Sequence, residues 1–348
     1  MPAALISGIT GQDGSYLAEH LLERGYEVYG IVRRTSTKHY WRLNHLLTSD
    51  EDLILLEGDL NDQSSLDRAV QKSSPDEVYN LAAQSFVGTS FDQPVHTGKV
   101  TGLGAIQMLE AVRKHAPDAK FYQAGTSELF GDVEDSPQDE GTPFHPRSPY
   151  GVAKLYAHWA TINYRESHDM YAVSGILFNH ESPRRGTEFV TRKITLAAAR
   201  IKEGKQDELR LGNLEAKRDW GHARDYVRAM HRMLQQEPNA IDDYVIGTGE
   251  THTVGECARI AFEEVGLDYE EFVVVDEEFF RPAEVNVLQA DPSKATDELG
   301  WEAEIGFESL IREMVRTDRQ RVKMNDEFWV QQLDDGLRPQ SNVPGDDR

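Results

Sequence analysis

Short apolar runs alternate with longer segments of helical periodicity through the first half of the chain. Residues 3–7 form such a run just before a glycine turn, which is typical of a buried strand. Residues 15–24 then place apolar side chains at helical spacing, and Gly25 ends that segment. The pattern predicts strands at 3–7, 27–32, 53–57, 77–83, 119–124 and 171–177, and helices at 15–24, 64–72, 98–115, 149–167, 189–204 and 223–236.

This alternation indicates a parallel sheet with helices on both faces. We therefore expect an α/β chain, namely a Rossmann-type doubly wound parallel sheet with a smaller, mostly C-terminal substrate-binding lobe. The expected boundaries are a dinucleotide-binding domain at 1–178 with a returning segment near 223–252, a lobe mainly at 179–330, and a mobile tail at 331–348.

The composition narrows the possible partners and the compartment. The 348 residues carry 60 acidic and 37 basic side chains, a net charge of −23, which disfavours a nucleic-acid partner because phosphates require a basic face. The only cysteine excludes an internal disulfide, and no apolar run is long enough to span a membrane. With no leader pattern at the N-terminus, we expect a cytoplasmic protein without a membrane partner.

A glycine-rich segment lies between the first strand and the first helix. A glycine pattern alone is often only a turn, but here it stands in the strand–turn–helix context of a dinucleotide site. The glycines permit a tight turn and let a pyrophosphate approach a helix N-terminus. The GxxGxxG spacing is that of short-chain dehydrogenases, and it predicts cofactor contacts from Gly8, Thr10, Gly11, Gln12, Asp13 and Gly14.

The end of the second strand selects between the two nicotinamide dinucleotides. An acidic residue there would accept the ribose 2′-hydroxyl of NAD. This chain instead has Arg33 and Arg34, whose guanidiniums suit a 2′-phosphate, so we expect NADP. After the third strand, Asp59 and Leu60 are placed to meet the adenine. The residues after the fourth strand would run beneath the nicotinamide, and they are Leu81, Ala82, Ala83, Gln84 and Ser85.

Four further residues form a candidate catalytic group. Tyr150 and Lys154 share one helix face, and the lysine ammonium is expected to lower the pKa of the phenol, making it a usable base. Thr126 would hydrogen-bond the same substrate hydroxyl. Glu128 could remove the proton that becomes acidic beside a newly formed ketone and then donate it to a departing hydroxyl.

The scattered histidines show no metal-ligand pair, so we predict no metal.

Longer segments carry a family resemblance that covers roughly residues 3–320. The chain resembles the GDP-mannose 4,6-dehydratases, which are extended short-chain dehydrogenases/reductases. The segments that carry it are GITGQDGSYLAE from Gly8, NLAAQS from Asn80, TSELFG from Thr126, SPYGVAK from Ser148, LFNHESPRRG from Leu177 and AKRDWGHARDYV from Ala216.

The resemblance implies a redox-neutral dehydration of GDP-mannose that uses NADP. Tyr150 would deprotonate the 4-hydroxyl during C4 oxidation, Glu128 would remove the C5 proton and help expel the C6 hydroxyl, and hydride would return to C6. Thr126 would hold O4 and Lys154 would tune Tyr150. The family also implies a homodimer or homotetramer.

The resemblance assigns binding residues as well. His180 and Arg185 would complete the cofactor site. Independently of the resemblance, an acidic protein that binds a pyrophosphate needs a local basic pocket, which Arg184, Arg185, Lys193 and Arg218 can supply. The positions implied for the substrate are Ser85, Asn179, Lys193, Arg218, Arg281 and Glu284.

Three departures from the family pattern stand out. The family usually has a Ser-rich stretch with Phe-Asn where this chain has residues 35–41, and in the family that loop reaches a neighbouring subunit's cofactor. His96 replaces a tyrosine expected near the cofactor. Gly125 and Phe130 replace the first serine and the tyrosine of the family's STSELYG segment. Ser127 is not a departure: glucose-nucleotide dehydratases usually carry Asp at this place, so the serine favours the mannose type.

Other functions stay open at this point. A nucleotide-sugar epimerase or reductase would use the same fold, although it would not need Glu128. Another nucleotide-sugar 4,6-dehydratase and a non-catalytic NADP sensor are further alternatives.

The charge yields the first testable prediction. A net charge of −23 fits either an ordinary solvated acidic surface or adaptation to a salt-rich cytoplasm, and we favour the second. At molar salt the screening length is about 3 Å, which removes most self-repulsion. We expect the free energy of unfolding, measured by urea titration, to rise from dilute buffer to molar KCl. Equal stability and activity in both buffers would contradict this.

Overall fold

A computed structural model describes residues 1–36, 38, 40–47, 53–133, 136–276, 278 and 287–324. The predicted tail at 331–348 and the substrate candidates Arg281 and Glu284 lie outside the described residues.

The strands are β1 Ala3–Ser7, β2 Glu27–Val32, β3 Leu53–Glu57, β4 Glu77–Asn80, β5 Lys120–Ala124, β6 Ala172–Leu177, β7 Asn179–Glu181, β8 Leu209–Leu211, β9 Lys217–Arg218, β10 Trp220–His222, β11 Tyr244–Ile246, β12 His252–Thr253, β13 Val273–Val275 and β14 Val287–Leu288.

The helices differ widely in length. The α-helices are α1 Gln12–Leu22, α2 Asn44–Leu47, α3 Gln63–Ser73, α4 Val87–Asp92, α5 Pro94–Thr97, α6 Gly104–His115, α7 Pro149–His168, α8 Val190–Lys202, α9 Ala223–Met233, α10 Val254–Glu264, α11 Ser293–Leu299 and α12 Phe307–Met324. A π-helical segment, Gly98–Leu103, leads directly into α6. None of the helices in the described part of the chain is long and apolar enough to cross a membrane.

Seven parallel strands form the central sheet, in the order β11-β6-β5-β4-β1-β2-β3. Apolar side chains pack on both faces, with α1 and α9 on one and α3 and α6 on the other. Burial on both faces explains why β1, β2 and β6 read as nearly continuous apolar runs. The predicted doubly wound α/β fold is confirmed. Because every strand runs the same way, their carboxyl ends meet at one edge, where α/β sheets bind ligands.

Helices α8, α10 and α12 pack together around a separate apolar cluster that includes Trp220 and Phe307. A fully buried ion pair ties two of these helices, because Arg192 of α8 lies 2.6 Å from the Asp318 carboxylate of α12. Thr195 also donates to Asp318 at 2.8 Å. Arg192 also donates through Nε to Asp318 at 2.8 Å and through Nη1 to the Pro183 carbonyl oxygen at 2.9 Å, and such bonds offset the cost of burying the two charges.

Several element boundaries differ from the sequence prediction. Helix α1 begins at Gln12, three residues early, because the chain turns helical immediately after Gly11. Strand β4 ends at Asn80, while the apolar residues that follow leave the sheet and line a cleft. The predicted helix at 98–115 begins with the π-helical segment. Strand β11 was not predicted because its apolar run is only three residues long.

Candidate active site

A cleft of about 800 Å³ opens at the carboxyl edge of the sheet. Nearly all of the described residues that the sequence pointed to line this cleft, including the four catalytic candidates and the whole glycine-rich turn. Arg33 lines the cleft, whereas the neighbouring Arg34 is exposed and does not line it. Topology therefore brings together segments that are more than one hundred residues apart in sequence.

The glycine-rich turn approaches its neighbours too closely for side chains. Gly8 has φ +75°, and a Cβ there would lie 2.8 Å from the Ala82 nitrogen. A Cβ on Gly14 would lie 2.4 Å from the Gly8 carbonyl oxygen. Gly11, which precedes α1, has no side chain to cap the first N–H groups of the helix. This cradle fits a dinucleotide pyrophosphate, which binds backbone N–H groups at a helix N-terminus.

Asp13 links this turn to the end of β6 through His180. The His180 Nε2 lies 3.0 Å from the Asp13 carboxylate, and its Nδ1 lies 2.7 Å from the Phe178 carbonyl oxygen. Both ring nitrogens thus face acceptors, which requires a doubly protonated ring. Burial opposes the charge, but Asp13 outweighs it and raises the pKa of His180 above its ordinary value. The ring also stacks on Tyr226, with centroids 4.5 Å apart.

Tyr150 and Lys154 enter the cleft from the first turns of α7. Ser148 caps this helix by accepting from the Gly151 N–H at 3.0 Å, as the sequence Ser-Pro-Tyr suggests. Tyr150 is 8% exposed and Lys154 4% exposed. The Lys154 ammonium donates to the Ala124 carbonyl oxygen at 2.7 Å, and lies 5.9 Å from the centre of the Tyr150 ring.

The expected lowering of the tyrosine pKa is wrong for this arrangement. Burial raises the pKa of Tyr150 to about 12, partly offset by a hydrogen bond with Thr126 and reinforced by the Glu128 carboxylate. Burial also lowers the pKa of Lys154 to about 8. The sequence correctly predicted that the two side chains lie near each other. Desolvation nevertheless outweighs the attraction between a Tyr150 phenolate and the Lys154 ammonium, because that ammonium is bound to a carbonyl oxygen.

The basic residues predicted for the substrate separate into two groups. Arg185, Lys193 and Arg218 line the cleft, and Lys193 donates to the Arg210 carbonyl oxygen at 2.8 Å. Arg184 instead packs on α1, with its guanidinium 4.0 Å from the Tyr16 ring centre and 2.5 Å from the Glu19 carboxylate. The expectation that Arg184 contributes to the basic pocket is therefore wrong.

Some lining residues were not predicted from the sequence. Glu181 is buried, lies 3.0 Å from the Arg185 Nε and accepts from the Thr191 hydroxyl at 2.5 Å. Its place in the LFNHESPRRG segment was the available signal. Arg42 also lines the cleft, but it follows the stretch where the chain departs from its family pattern, so no motif marked it. In the described part of the chain, no cluster of three His, Cys, Asp or Glu side chains is suited to a metal ion.

Comparison with solved structures defines the class. UDP-glucose 4-epimerase from Thermotoga maritima superposes with a TM-score of 0.81 and 26% identity, covering 92% of this chain and 99% of the epimerase. The epimerase from Thermus thermophilus, solved with NAD, gives a TM-score of 0.79 at 27% identity, covering 91% of this chain and 99% of the other. The fold and the cleft thus define a short-chain dehydrogenase/reductase with a nicotinamide cofactor.

Comparison with sequences defines the family. The family model described as GDP-mannose 4,6 dehydratase matches residues 5–314. GDP-mannose 4,6 dehydratase 1 of Arabidopsis thaliana is 54% identical over 329 residues, covering 92% of this chain and 90% of that protein. GDP-mannose 4,6 dehydratase of Homo sapiens is 48% identical over 346 residues, covering 92% of both. The chain belongs to the GDP-mannose 4,6-dehydratase family.

The Asp13–His180 pair generates a pH prediction. Since the folded pKa of His180 is raised, its stabilising contribution is complete below the ordinary value of about 6.5 and is lost as pH rises through the raised value. In Asp13→Asn the carboxylate charge is gone, so we expect the pKa of His180 to fall below 6.5. Ring-proton NMR titration measures this, with the exposed His168 as internal reference. An unchanged titration in Asp13→Asn would contradict the pairing.

Proposed function

We propose that this chain catalyses the dehydration of GDP-mannose to GDP-4-keto-6-deoxymannose, with NADP as its cofactor. The observation that carries the proposal is the presence of the Glu128 carboxylate in the same cleft as Tyr150 and the glycine-rich turn. Hydride transfer alone needs no carboxylate at this place. Loss of water requires a group that removes a carbon-bound proton and protonates the leaving hydroxyl. Membership of the dehydratase family supports this assignment.

Oxidation at C4 is assigned to Tyr150 and Thr126. When bound, the nicotinamide dinucleotide accepts a hydride from the sugar, returns it later, and carries a positive charge in its oxidised form. A positive charge in the cleft would favour the phenolate and oppose the effect of burial on Tyr150. Tyr150 would then remove the proton of the 4-hydroxyl, while Thr126, already hydrogen-bonded to it, holds the same oxygen.

Elimination is assigned to Glu128. The ketone at C4 acidifies the proton on C5, and the carboxylate removes it. The resulting carboxylic acid protonates the hydroxyl at C6, which leaves as water and gives a double bond between C5 and C6. Hydride addition at C6 and a proton at C5 then complete a reaction without net oxidation. One carboxylate can serve both steps because the proton it removes is the one it donates.

The nucleotide end of the substrate is assigned to the far side of the cleft. Lys193 and Arg218 supply positive charge for a diphosphate, and Asn179 supplies an amide. Arg185 is held by the buried Glu181 carboxylate, which fixes the direction of its guanidinium. An acidic protein needs such a local basic surface to bind a nucleotide sugar.

The test is incubation with GDP-mannose and catalytic NADP in heavy water, followed by mass spectrometry. We expect loss of one water, one deuterium at C5 and no net NADPH. Glu128→Gln should bind NADP normally but slow dehydration by about 10²- to 10⁴-fold, whereas Tyr150→Phe should block the first oxidation. The exposed Glu166→Gln on α7 is the matched control. Near-normal turnover in either active-site variant, or epimerisation without water loss, would overturn the assignment.

Cofactor choice is assigned to the arginine pair after β2. We expect Arg33→Gln to weaken NADPH binding by about 10- to 100-fold, the range for a hydrogen bond to a charged group, and to change NADH binding little. Arg34→Gln should have a smaller effect, because Arg34 does not line the cleft. Fluorescence titration of the reduced cofactors measures both affinities, with the exposed Arg68→Gln as control. Equal losses for both cofactors would refute a role at the 2′-phosphate.

We also propose that the chain forms a homodimer through an apolar groove between the 94–103 segment and α7. Its lining includes Val95, Leu103, Val152 and Tyr156, which are 70%, 50%, 55% and 50% exposed. Contiguous exposed apolar surface of this kind marks protein interfaces. Light scattering should report a dimer for the native chain and a monomer for Val152→Glu. Val275→Glu, on exposed strand β13, should stay dimeric; dissociation of both variants would refute the specific interface.

A further inference from the structure

Two phenylalanine side chains, which we call the aromatic wall, meet in the cleft. Phe86 follows the residues that leave β4, and Phe189 directly precedes α8, so one ring comes from the sheet and the other from the lobe. Both line the cleft, and both are half-buried. Their ring centres lie 5.7 Å apart with an interplanar angle of 89°, the edge-to-face arrangement that aromatic rings prefer. The contact therefore joins two sides of the cleft.

Other contacts within the chain hold each ring in place. The Arg185 guanidinium carbon lies 3.6 Å from the centre of the Phe189 ring, which is a cation–π contact. Arg185 in turn lies against the Glu181 carboxylate, whose side chain is only 3% exposed. Phe86 is fixed separately at the start of α4, where its carbonyl oxygen accepts from the Gln84 side chain at 3.1 Å. The aromatic wall is thus a positioned part of the cleft.

The aromatic wall lies near the groups assigned to the reaction. Phe86 directly follows Ser85, the last residue of the segment assigned to run beneath the nicotinamide. Burial is the main cause of the raised pKa of Tyr150, and the Arg185 charge acts in the opposite direction, so Arg185 lies within electrostatic range of the phenol. Because Phe189 stacks on Arg185, we place the aromatic wall beside the bound sugar.

The proposed elimination creates an intermediate that water can attack. Loss of water leaves a double bond between C5 and C6 that is conjugated with the C4 ketone. If a water molecule adds back, its oxygen bonds to C6, Glu128 takes its proton and passes it to C5, and the 4-keto hexose is restored. Hydride return to C4 would then regenerate GDP-mannose instead of the deoxy product. An apolar surface beside C6 would exclude water and favour hydride return to C6.

We propose that Phe86 and Phe189 face C6 of the sugar and keep water away from the unsaturated intermediate. Two aromatic rings suit this place because C6 changes from a hydroxymethyl group to an apolar methyl group during the reaction. The hydroxyl and carboxyl groups that react, on Thr126, Glu128 and Tyr150, line the same cleft. This inference rests on the proposed dehydration and deepens it, because it assigns the side chains that commit the intermediate to product.

Turnover in water enriched in ¹⁸O measures the reverse addition directly. GDP-mannose recovered at partial conversion is analysed by mass spectrometry for ¹⁸O at C6. We expect about tenfold more label per turnover in Phe86→Ala and in Phe189→Ala than in the native chain, because exclusion of water no longer favours hydride return. Phe86→Met keeps an apolar cover and should stay close to the native chain. The matched control is Phe91→Ala on α4, since Phe91 is exposed and does not line the cleft.

The outcomes separate this proposal from the proposed function. Unchanged labelling in both alanine variants, with keto sugar still formed, would overturn the role of the aromatic wall and leave the dehydration intact. A rise confined to Phe189→Ala would also overturn it, because that variant alone removes the contact with Arg185. Absence of keto sugar from the native chain would overturn the proposed function and this inference together.

A second pair of variants covers loss of the fold, which thermal unfolding detects. If an alanine variant does not fold, Phe86→Met and Phe86→Gln decide, because the two new side chains have similar lengths and differ in polarity. We expect more ¹⁸O in GDP-mannose recovered from the glutamine variant, since its amide can hold water beside C6. Equal labelling in the two variants would overturn the proposal.

Discussion

The cleft depends on one steric constraint, the contact of the turn after β1 with the chain that leaves β4. Gly8 lies against Ala82 so closely that no Cβ fits between them, and Gly14 lies equally close to Gly8. This contact lets α1 begin at once and places its N-terminus beside residues 81–85. The wall that receives a pyrophosphate and the wall that runs beneath a nicotinamide are therefore parts of one packed unit.

Close packing of the sheet strands also explains which parts of the structure could be predicted from the sequence. Strands β1 and β2 have the predicted bounds because they are buried on both faces and thus nearly continuously apolar, and the edge strand β3 keeps its predicted bounds although only Leu56 of it is buried. Residues 81–83 continue that apolar pattern for a different reason, since they line the cleft, and pattern alone could not separate the two causes. Positions at strand ends were predictable because a parallel sheet gathers those ends at one edge.

Electrostatic properties and side-chain directions were less predictable. Arg184 and Arg185 are consecutive, yet the first packs on Tyr16 while the second lines the cleft, a difference that depends on the backbone path after β7. The Tyr150 pKa depends on burial and on the direction in which Lys154 points, and neither is encoded in the spacing of four residues. Arg42 enters the cleft because Trp41 and Leu43 anchor its segment, a purely tertiary cause.

The placement of the arginines inside an acidic molecule also affects how fast ligands arrive. A chain with net charge −23 repels an anionic nucleotide at long range, and the cleft cations attract it only at contact. Salt at about 1 M shortens the range of the repulsion to about 3 Å, while buried contacts are screened much less. Encounter rates with anionic ligands should thus increase with ionic strength, the reverse of the behaviour of a protein that draws anions towards a basic face.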